Sequence, residues 1–458
     1  MLINLKQNNF NIEVNLPLSK SESNRALMIA FYLETQRRRD AETQRLCDFA
    51  TLRLCDFKTS QLSDSDDTVL LKNLLDKINQ YIYHYKQSQL SVDCCPLTLD
   101  CANAGTVFRF LMTAVASLQL TINNEKSFEV FRFSDFQILS FLLTGNERMK
   151  QRPIDSLVEA LRSLGVSIEY TERESYPPVL IRPHNIEGGR VEVNVEQSSQ
   201  FASSLLLAAP LWKNGLELHL TGNISSLPYI DMTINMMKRC GIDVIRKDRY
   251  ILVKPGNYNI DNIKIEPDWS AAAFWYEIAA LSEYSDIFLK NLNIDSLQAD
   301  SVAIKMFENL GVETISVKEG VIIRNTTFNS QLLTFNFKNC PDLFPSVIAT
   351  CAGIKVNATF TGLKNLSIKE SDRKKAMMIE LKKINVSFEE ISDDELKMIC
   401  PEELPFFTEE KPIIFNNYND HRIAMALSIL SIKIGAIEMK NTEVVSKSYP
   451  NFFETVGY

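Results

Sequence analysis

LVEALRSLGVSIEY, residues 157–170, is the stretch on which the fold turns: an amphipathic helix ends at Gly165 and a short β-branched strand follows at once. Glycine suits that junction because closing a helix commonly puts one residue in the left-handed region, where a Cβ is penalised. The same pattern returns in INMMKRCGIDVIR (234–246) around Gly241, IKMFENLGVETISV (304–317) around Gly311 and IELKKINVSFEE (379–390) around Asn385. A weaker copy, LLKNLLDKINQYIYHY (70–85), centres on Asn79. The junctions recur about every 75 residues, too long for a solenoid repeat and suited to a mixed unit of two helices and several strands. About six such units fit in the chain, which predicts an α/β protein of two domains with three units each.

Composition narrows the function. With 45% hydrophobic and 23% charged residues in 458, this is an ordinary globular composition spread over more than one core. A net charge of -8 argues against a general nucleic-acid or anionic-membrane binder. The first residues, MLINLKQNNFNIEVNLPLSK, lack an apolar core behind a basic start, so no secretory leader is expected, and no run is long enough for a membrane span. The nine cysteines, with Cys94, Cys95 and Cys101 showing no zinc-finger spacing, read as reduced thiols of a cytoplasmic protein. Four histidines leave little for a metal site, and none is expected.

One region fits no unit. From Glu34 to Asp67 the chain is charged and aperiodic and carries the near-duplicates QRLCDFA and LRLCDFK. It reads as a tandem insertion in a surface loop, with Arg37, Arg38 and Arg39 on a solvated face.

The chemistry sits at predicted helix starts. In PLSKSESNRALMIAFYL, Ser19 and Glu22 have capping-box spacing, so a helix should begin near Lys20, with Lys20 and Ser21 in its anion-attracting first turn and Arg25 one turn on. In DCANAGTVFRFLM, Asn103 can cap, Gly105 lets a ligand approach the backbone, and Arg109 follows. LTGNERMKQRPIDSL clusters Arg148, Lys150 and Arg152 before Pro153. VEQSSQ places Ser198, Ser199 and Gln200, and ISSLPYIDM places Ser226 and Tyr229, before apolar helices. Further on come Asp342 in KNCPDLFPS, Asn365, Lys369, Glu370 and Arg373 in LKNLSIKESDRKK, Asp420, His421 and Arg422 in NNYNDHR, and Lys447 in VVSKSYP. Carboxylates beside fixed cations are the mixture that proton transfer next to a bound anion requires.

These strings resemble, in order and from Ser19 to Lys447, the 5-enolpyruvylshikimate-3-phosphate synthases among the enolpyruvyl transferases. The resemblance implies a two-domain inside-out α/β barrel, each domain three βαβαββ units, with the active site in the cleft between them. It sets the first domain at residues 19–265, with a loop insertion at about 34–63, and the second at 1–18 plus 266–458. The implied ligands of shikimate 3-phosphate are Lys20, Ser21, Arg25, Ser198, Ser199, Gln200, Ser226, Tyr229, Asp342, Asn365 and Lys369. Those of phosphoenolpyruvate are Lys20, Asn103, Gly105, Arg148, Gln200, Glu370, Arg373, His421, Arg422 and Lys447. Asp342, Glu370 and Lys447 are the implied catalytic groups, and no cofactor, nucleic acid or membrane partner is called for; a cytoplasmic monomer is expected.

The sequence departs from the family at Leu18, usually Gly, at Glu196–Gln197, usually a smaller pair, and at Trp269, in a usually small-residue stretch. The sister transferase acting on UDP-N-acetylglucosamine usually has a reactive cysteine in the loop matching TGNERMKQRP, and there is none here.

Overall fold

A computed structural model describes residues 1–42, 62–87, 95–118, 139–224, 226–261, 263–327 and 333–458. The buried apolar residues fall into two separate clusters. One runs from Ala26 to Ile265; the other joins Ile3–Leu16 to Trp269–Val456. The fold is thus a two-part α/β arrangement with two cores, the second of which is assembled from both ends of the chain.

One unit repeats. Strand Leu97–Asp100, helix Gly105–Ala116, strand Phe141–Thr144, helix Asp155–Ser163 and strands Ser167–Tyr170 and Val179–Arg182 form a four-stranded sheet. Its first two strands are parallel, and the last strand inserts antiparallel between the second and the third. The same order is built by Gly189–Asn194 through Tyr250–Val253 and by Leu333–Asn336 through Glu395–Ile399. A further copy starts with Asn9–Val14, leaves for the whole first domain, and resumes at Tyr284–Lys290, which pairs parallel to it. A smaller sheet closes the second domain: Ile413–Phe415 lies parallel to Ile437–Met439, whose other edge takes Leu2–Ile3.

The junction residues behave as their chemistry dictates. Gly165, Gly241 and Gly311 have φ of 91°, 85° and 82°, and Asn385 has 67°. The copy around Asn79 is not a junction. Helix Asp66–Gln87 runs straight through it, and Asn79 instead spends its amide on Glu34 Oε2 (3.3 Å) and accepts from Arg38 (3.2 Å).

The region read as a surface-loop insertion is structured at both ends. Helix Lys20–Glu42 carries through Glu34, and the next helix begins at Asp66. Gln36 is buried and bonds the backbone of Gly256 and Tyr258. Arg38 is no solvated residue either, being half-buried against Glu34. The near-duplicate strings fall on residues 43–61, outside the described residues.

The chain crosses between domains twice, side by side. Ser19 N–H donates to Glu266 O (2.8 Å), Asp268 N–H to Pro17 O (2.9 Å), and Leu18 bridges Pro267 antiparallel. Glu22 completes the hinge by accepting from Glu266 N–H at 2.8 Å. Its carboxylate therefore does not reach back to Ser19 as a full capping box would; only Ser19 Oγ accepts from Glu22 N–H (3.4 Å). Among the described residues, no helix is long and apolar enough to cross a membrane.

Candidate active site

A cavity of about 940 Å3, counting its open mouth, lies between the domains where helix starts converge. Lys20, Arg25, Arg109, Arg152 and Lys369 line it against the carboxylates Asp67, Asp342 and Glu370. The surplus of positive charge and the free N–H groups of the helix starts suit an anionic guest.

On the first-domain side the walls are hydroxyls and amides. Ser21, Ser198, Ser199, Gln200, Ser226 and Tyr229 all line the cavity. Ser226 adopts the left-handed conformation (φ 56°) ahead of helix Leu227–Arg239, and its N–H donates across the cleft to Lys338 O at 3.0 Å. Arg25 is buried, and among the described residues it hydrogen-bonds only neutral oxygens: Thr233 Oγ1 at 2.7 Å, the carbonyls of Ser21 and Tyr229, and Ser203 Oγ. Burial lowers its pKa to about 10, so it stays charged at neutral pH with its field directed at the cleft. Gly105 opens its helix flush against Arg109 and Arg152: a Cβ there would stand 2.5 Å and 2.6 Å from their Nη1 atoms.

The second domain supplies a knot of opposite charges. Arg373, 1% exposed, donates to Asp342 Oδ1 (2.6 Å), Glu370 Oε2 (2.8 Å) and Asp420 Oδ2 (2.8 Å). Arg422 donates to Asp342 Oδ2 at 2.9 Å, and Lys447 Nζ stands 3.9 Å from Glu370 and 4.0 Å from Asp67. Burial by itself would push both carboxyls up. Arg422, Lys369 and Arg373 outweigh it at Asp342, and Arg373, Lys447 and Arg152 at Glu370, so both are held below the usual carboxylate range. His421 is buried with neither ring nitrogen hydrogen-bonded; burial, and then Lys20 and Arg422, keep it neutral. The helix starts that hold this knot are capped by Asp372, accepting from Lys375 N–H, and Asp420, accepting from Arg422 N–H.

Of the residues singled out from sequence, Lys20, Ser21, Arg25, Gly105, Ser198, Ser199, Gln200, Ser226, Tyr229, Asp342, Asn365, Lys369 and Glu370 line the cavity. Arg373, Arg422 and Lys447 reach it through the carboxylates they grip. Arg148 does not line it: its guanidinium bonds the carbonyls of Ser367 (2.9 Å) and Lys369 (2.8 Å), tying the two domains together. Asn103 is not a helix cap either. Ala104 holds that position, Asn103 Oδ1 is buried without a partner, and its carbonyl accepts from Lys447 Nζ at 3.0 Å.

Sequence reading missed Asp67, placed in the supposed loop, which pairs with Lys20 at 3.2 Å and lines the cavity. The only available signal was its position in the first turn of an apolar-periodic helix. Two departures from the family pattern find structural uses. Glu196 binds Lys364 at 2.7 Å, and its carbonyl accepts from Asn365 at 2.9 Å, a tie across the cleft rim. Trp269 is buried, with its indole N–H on Asn293 O at 3.1 Å.

A two-domain α/β fold with clustered helix starts, cations and paired carboxylates around one cleft defines a site for anionic, phosphorylated substrates beside proton-handling groups. Residues 5–456 match the family described as EPSP synthase (3-phosphoshikimate 1-carboxyvinyltransferase), and the chain belongs to it. It is 35% identical to the 3-phosphoshikimate 1-carboxyvinyltransferase of Bacteroides fragilis, over 96% of this chain and 93% of that one. It is 30% identical to that of Sulfurovum sp., over 97% and 95%. The solved EPSP synthase of Acinetobacter baumannii shares the fold, with TM-score 0.66 at 20% identity over 99% of this chain and 97% of that one.

Proposed function

We propose that the chain transfers the enolpyruvyl group of phosphoenolpyruvate to the 5-hydroxyl of shikimate 3-phosphate, releasing phosphate, with the charge knot at Asp342 and Glu370 as its proton-handling centre. The observation that carries this reading is the sharing of one buried guanidinium, Arg373, by two cleft carboxylates at 2.6 Å and 2.8 Å. Across the cleft, cations and carboxylates neutralise each other. A phosphorylated, carboxylated donor would displace the carboxylates from Arg373, Arg422 and Lys447, raising their pKa values at the moment protons must move.

Asp342 accepts the 5-hydroxyl proton as that oxygen attacks C2 of the donor. Glu370, which takes a proton from Lys447 once the donor has drawn its cations away, delivers it to C3, giving a tetrahedral intermediate. Glu370 then takes a C3 proton back and returns it to Lys447, while phosphate leaves with the proton held by Asp342, restoring the double bond and both carboxylates. Gly105, His421 and Asn103 are assigned to the donor, and Arg148 joins them on giving up the carbonyls of Ser367 and Lys369. Ser21, Arg25, Ser198, Ser199, Ser226, Tyr229, Asp342, Asn365 and Lys369 are assigned to the acceptor, with Lys20 and Gln200 shared between the two.

The two separate cores support assigning residues 19–265 to one domain and residues 1–18 with 266–458 to the other. A cytoplasmic monomer is the state proposed for this biosynthetic enzyme. A coupled phosphate-release assay with phosphoenolpyruvate and either shikimate 3-phosphate or UDP-N-acetylglucosamine tests the whole reading. Release with the shikimate acceptor alone is expected; release with the sugar nucleotide, or with neither, would overturn it.

A further inference from the structure

Beside the charge knot lies a carboxylate that the reaction scheme leaves unused. Asp300, in the short turn Ala299–Val302, is 2% exposed. Its Oδ2 accepts the hydroxyl of Ser270, and its Oδ1 is buried without any partner. Ser270, in the first turn of helix Trp269–Leu281, in turn accepts from Arg422 Nη2 at 3.3 Å. That same nitrogen donates to Asp342 Oδ2 at 2.9 Å. Arg422 is therefore divided between the carboxylate assigned to proton transfer and a hydroxyl already committed to Asp300.

A hydroxyl has one proton and two lone pairs. While Asp300 takes the Ser270 proton, Ser270 can offer only lone pairs to the guanidinium, which is the polarity Arg422 needs. Without an acceptor at 300 the hydroxyl is free to turn its proton toward Arg422, and the anchor is lost. An unpartnered carboxylate oxygen held in the interior is costly unless the group serves some purpose, and here that purpose lies in the hydroxyl it orients.

We propose that Asp300 is a positioning residue for the donor substrate: through Ser270 it fixes the orientation of Arg422, and so sets how tightly the enolpyruvyl donor is held. The inference rests on the assignment of Arg422 to phosphoenolpyruvate.

The electrostatic surroundings add a signature. Asp342, Arg422, Asp268, Tyr229 and Cys340 all face Asp300. Burial, and then the charge of Asp342, push its carboxyl up to about 7. Below neutrality it is protonated on its unpartnered oxygen and still accepts from Ser270. Above neutrality it adds a negative charge beside the guanidinium the donor must use. The KM for phosphoenolpyruvate should therefore climb as the pH rises through neutrality, while that for shikimate 3-phosphate should not.

The test is steady-state kinetics of the full chain across neutral pH for Asp300→Ala, Asp300→Asn, Ser270→Ala and the Asp300→Ala/Ser270→Ala double variant, with Arg422→Lys as control and thermal unfolding alongside. A hydrogen bond to a charged group corresponds to roughly a tenfold change in binding. Asp300→Ala, which leaves Ser270 without its acceptor, should raise the donor KM by about that factor and leave the acceptor KM nearly unchanged. Asp300→Asn keeps one acceptor oxygen and no charge, so it should hold the donor KM near its low-pH value and flatten it against pH. Ser270→Ala should raise the donor KM as Asp300→Ala does, and the double variant should be no worse than Ser270→Ala alone, because both lie on one path. An unaltered donor KM in Asp300→Ala, equal rises in both KM values, or additive effects in the double variant would overturn the proposal. Should Asp300→Ala fail to fold, an unaltered donor KM in Ser270→Ala overturns it equally. If Arg422→Lys leaves the donor KM unchanged, the fault lies with the assignment of Arg422 itself; if only Arg422→Lys raises it, Asp300 alone is refuted.

Discussion

Replacing Asp342 by asparagine should drive binding and turnover in opposite directions. The carboxylate takes a 2.6 Å bond from Arg373 and a 2.9 Å bond from Arg422, with Lys369 Nζ 3.9 Å away. Hydrogen bonds to charged groups are worth about 1.5–3 kcal/mol each, and asparagine keeps one carbonyl oxygen for one of the two. Its side chain is 20% exposed, which places the expected stability loss at the lower end, about 1–3 kcal/mol. The cations released are those assigned to phosphoenolpyruvate, so the donor KM should stay level or fall, by up to about tenfold. Turnover should drop by ~10²–10⁴, the usual contribution of a positioned proton acceptor.

Phosphate release at saturating shikimate 3-phosphate reads both quantities. Near-normal turnover, or a donor KM that climbs, would show that Asp342 neither accepts the proton nor competes for these cations. The pH dependence has a definite sign. The carboxyl is held below its ordinary range, so its stabilisation is present above the unfolded value of about 3.9 and is lost as pH falls toward the folded value. The unfolding curves of wild type and Asp342→Asn should therefore converge in acid.

Glu22 behaves in the reverse sense: burial raises its carboxyl to about 7, so its ionisation costs stability increasingly from about pH 4 upward. Glu22→Gln should be about 3 kcal/mol more stable than wild type at mildly alkaline pH and gain nothing near pH 4; a pH-independent difference in thermal unfolding would contradict this. Gly105→Ala should fold within about 1 kcal/mol of wild type, because the atoms it meets are flexible guanidinium ends. The displaced arginines should nonetheless raise the donor KM, and unchanged kinetics would mean they have room to withdraw. Lys364→Ala removes a rim pair whose lysine is 62% exposed, so stability should change by less than about 1 kcal/mol and turnover hardly at all; a large loss would make this tie essential to closure.

Much of the fold was legible because it is written in local chemistry. Gly165, Gly241, Gly311 and Asn385 mark helix ends that require the left-handed conformation, and a repeat of such marks is a repeat of the unit. Asn79 misled because an asparagine can also be held inside a helix by tertiary partners, here Glu34 and Arg38, which no local pattern reveals. Most of the site was legible for the same reason, since its residues sit at helix starts with recognisable capping spacing. What escaped was long-range. Asp67 lies 47 residues from Lys20 and pairs with it only in the folded chain, Arg148 turns to carbonyls of the other domain, and Asp300 matters only through Ser270. Capping itself was only half readable: Ser19 caps, but Glu22 is drawn off to the hinge and Asn103 yields to Ala104.

The pairing of Leu2–Ile3 with Ile437–Met439, and of Asn9–Val14 with Tyr284–Lys290, has a consequence for biosynthesis. On the ribosome, the earliest strands emerge long before their neighbours exist, and they must wait, unpaired, while the whole Ala26–Ile265 core is made and buried. Unpaired strands are adhesive, so a translational pause inside that interval exposes the nascent chain to aggregation. Asn9–Val14 carries Asn9, Asn11 and Glu13 between its apolar residues, a polar alternation that lessens the hazard during the delay.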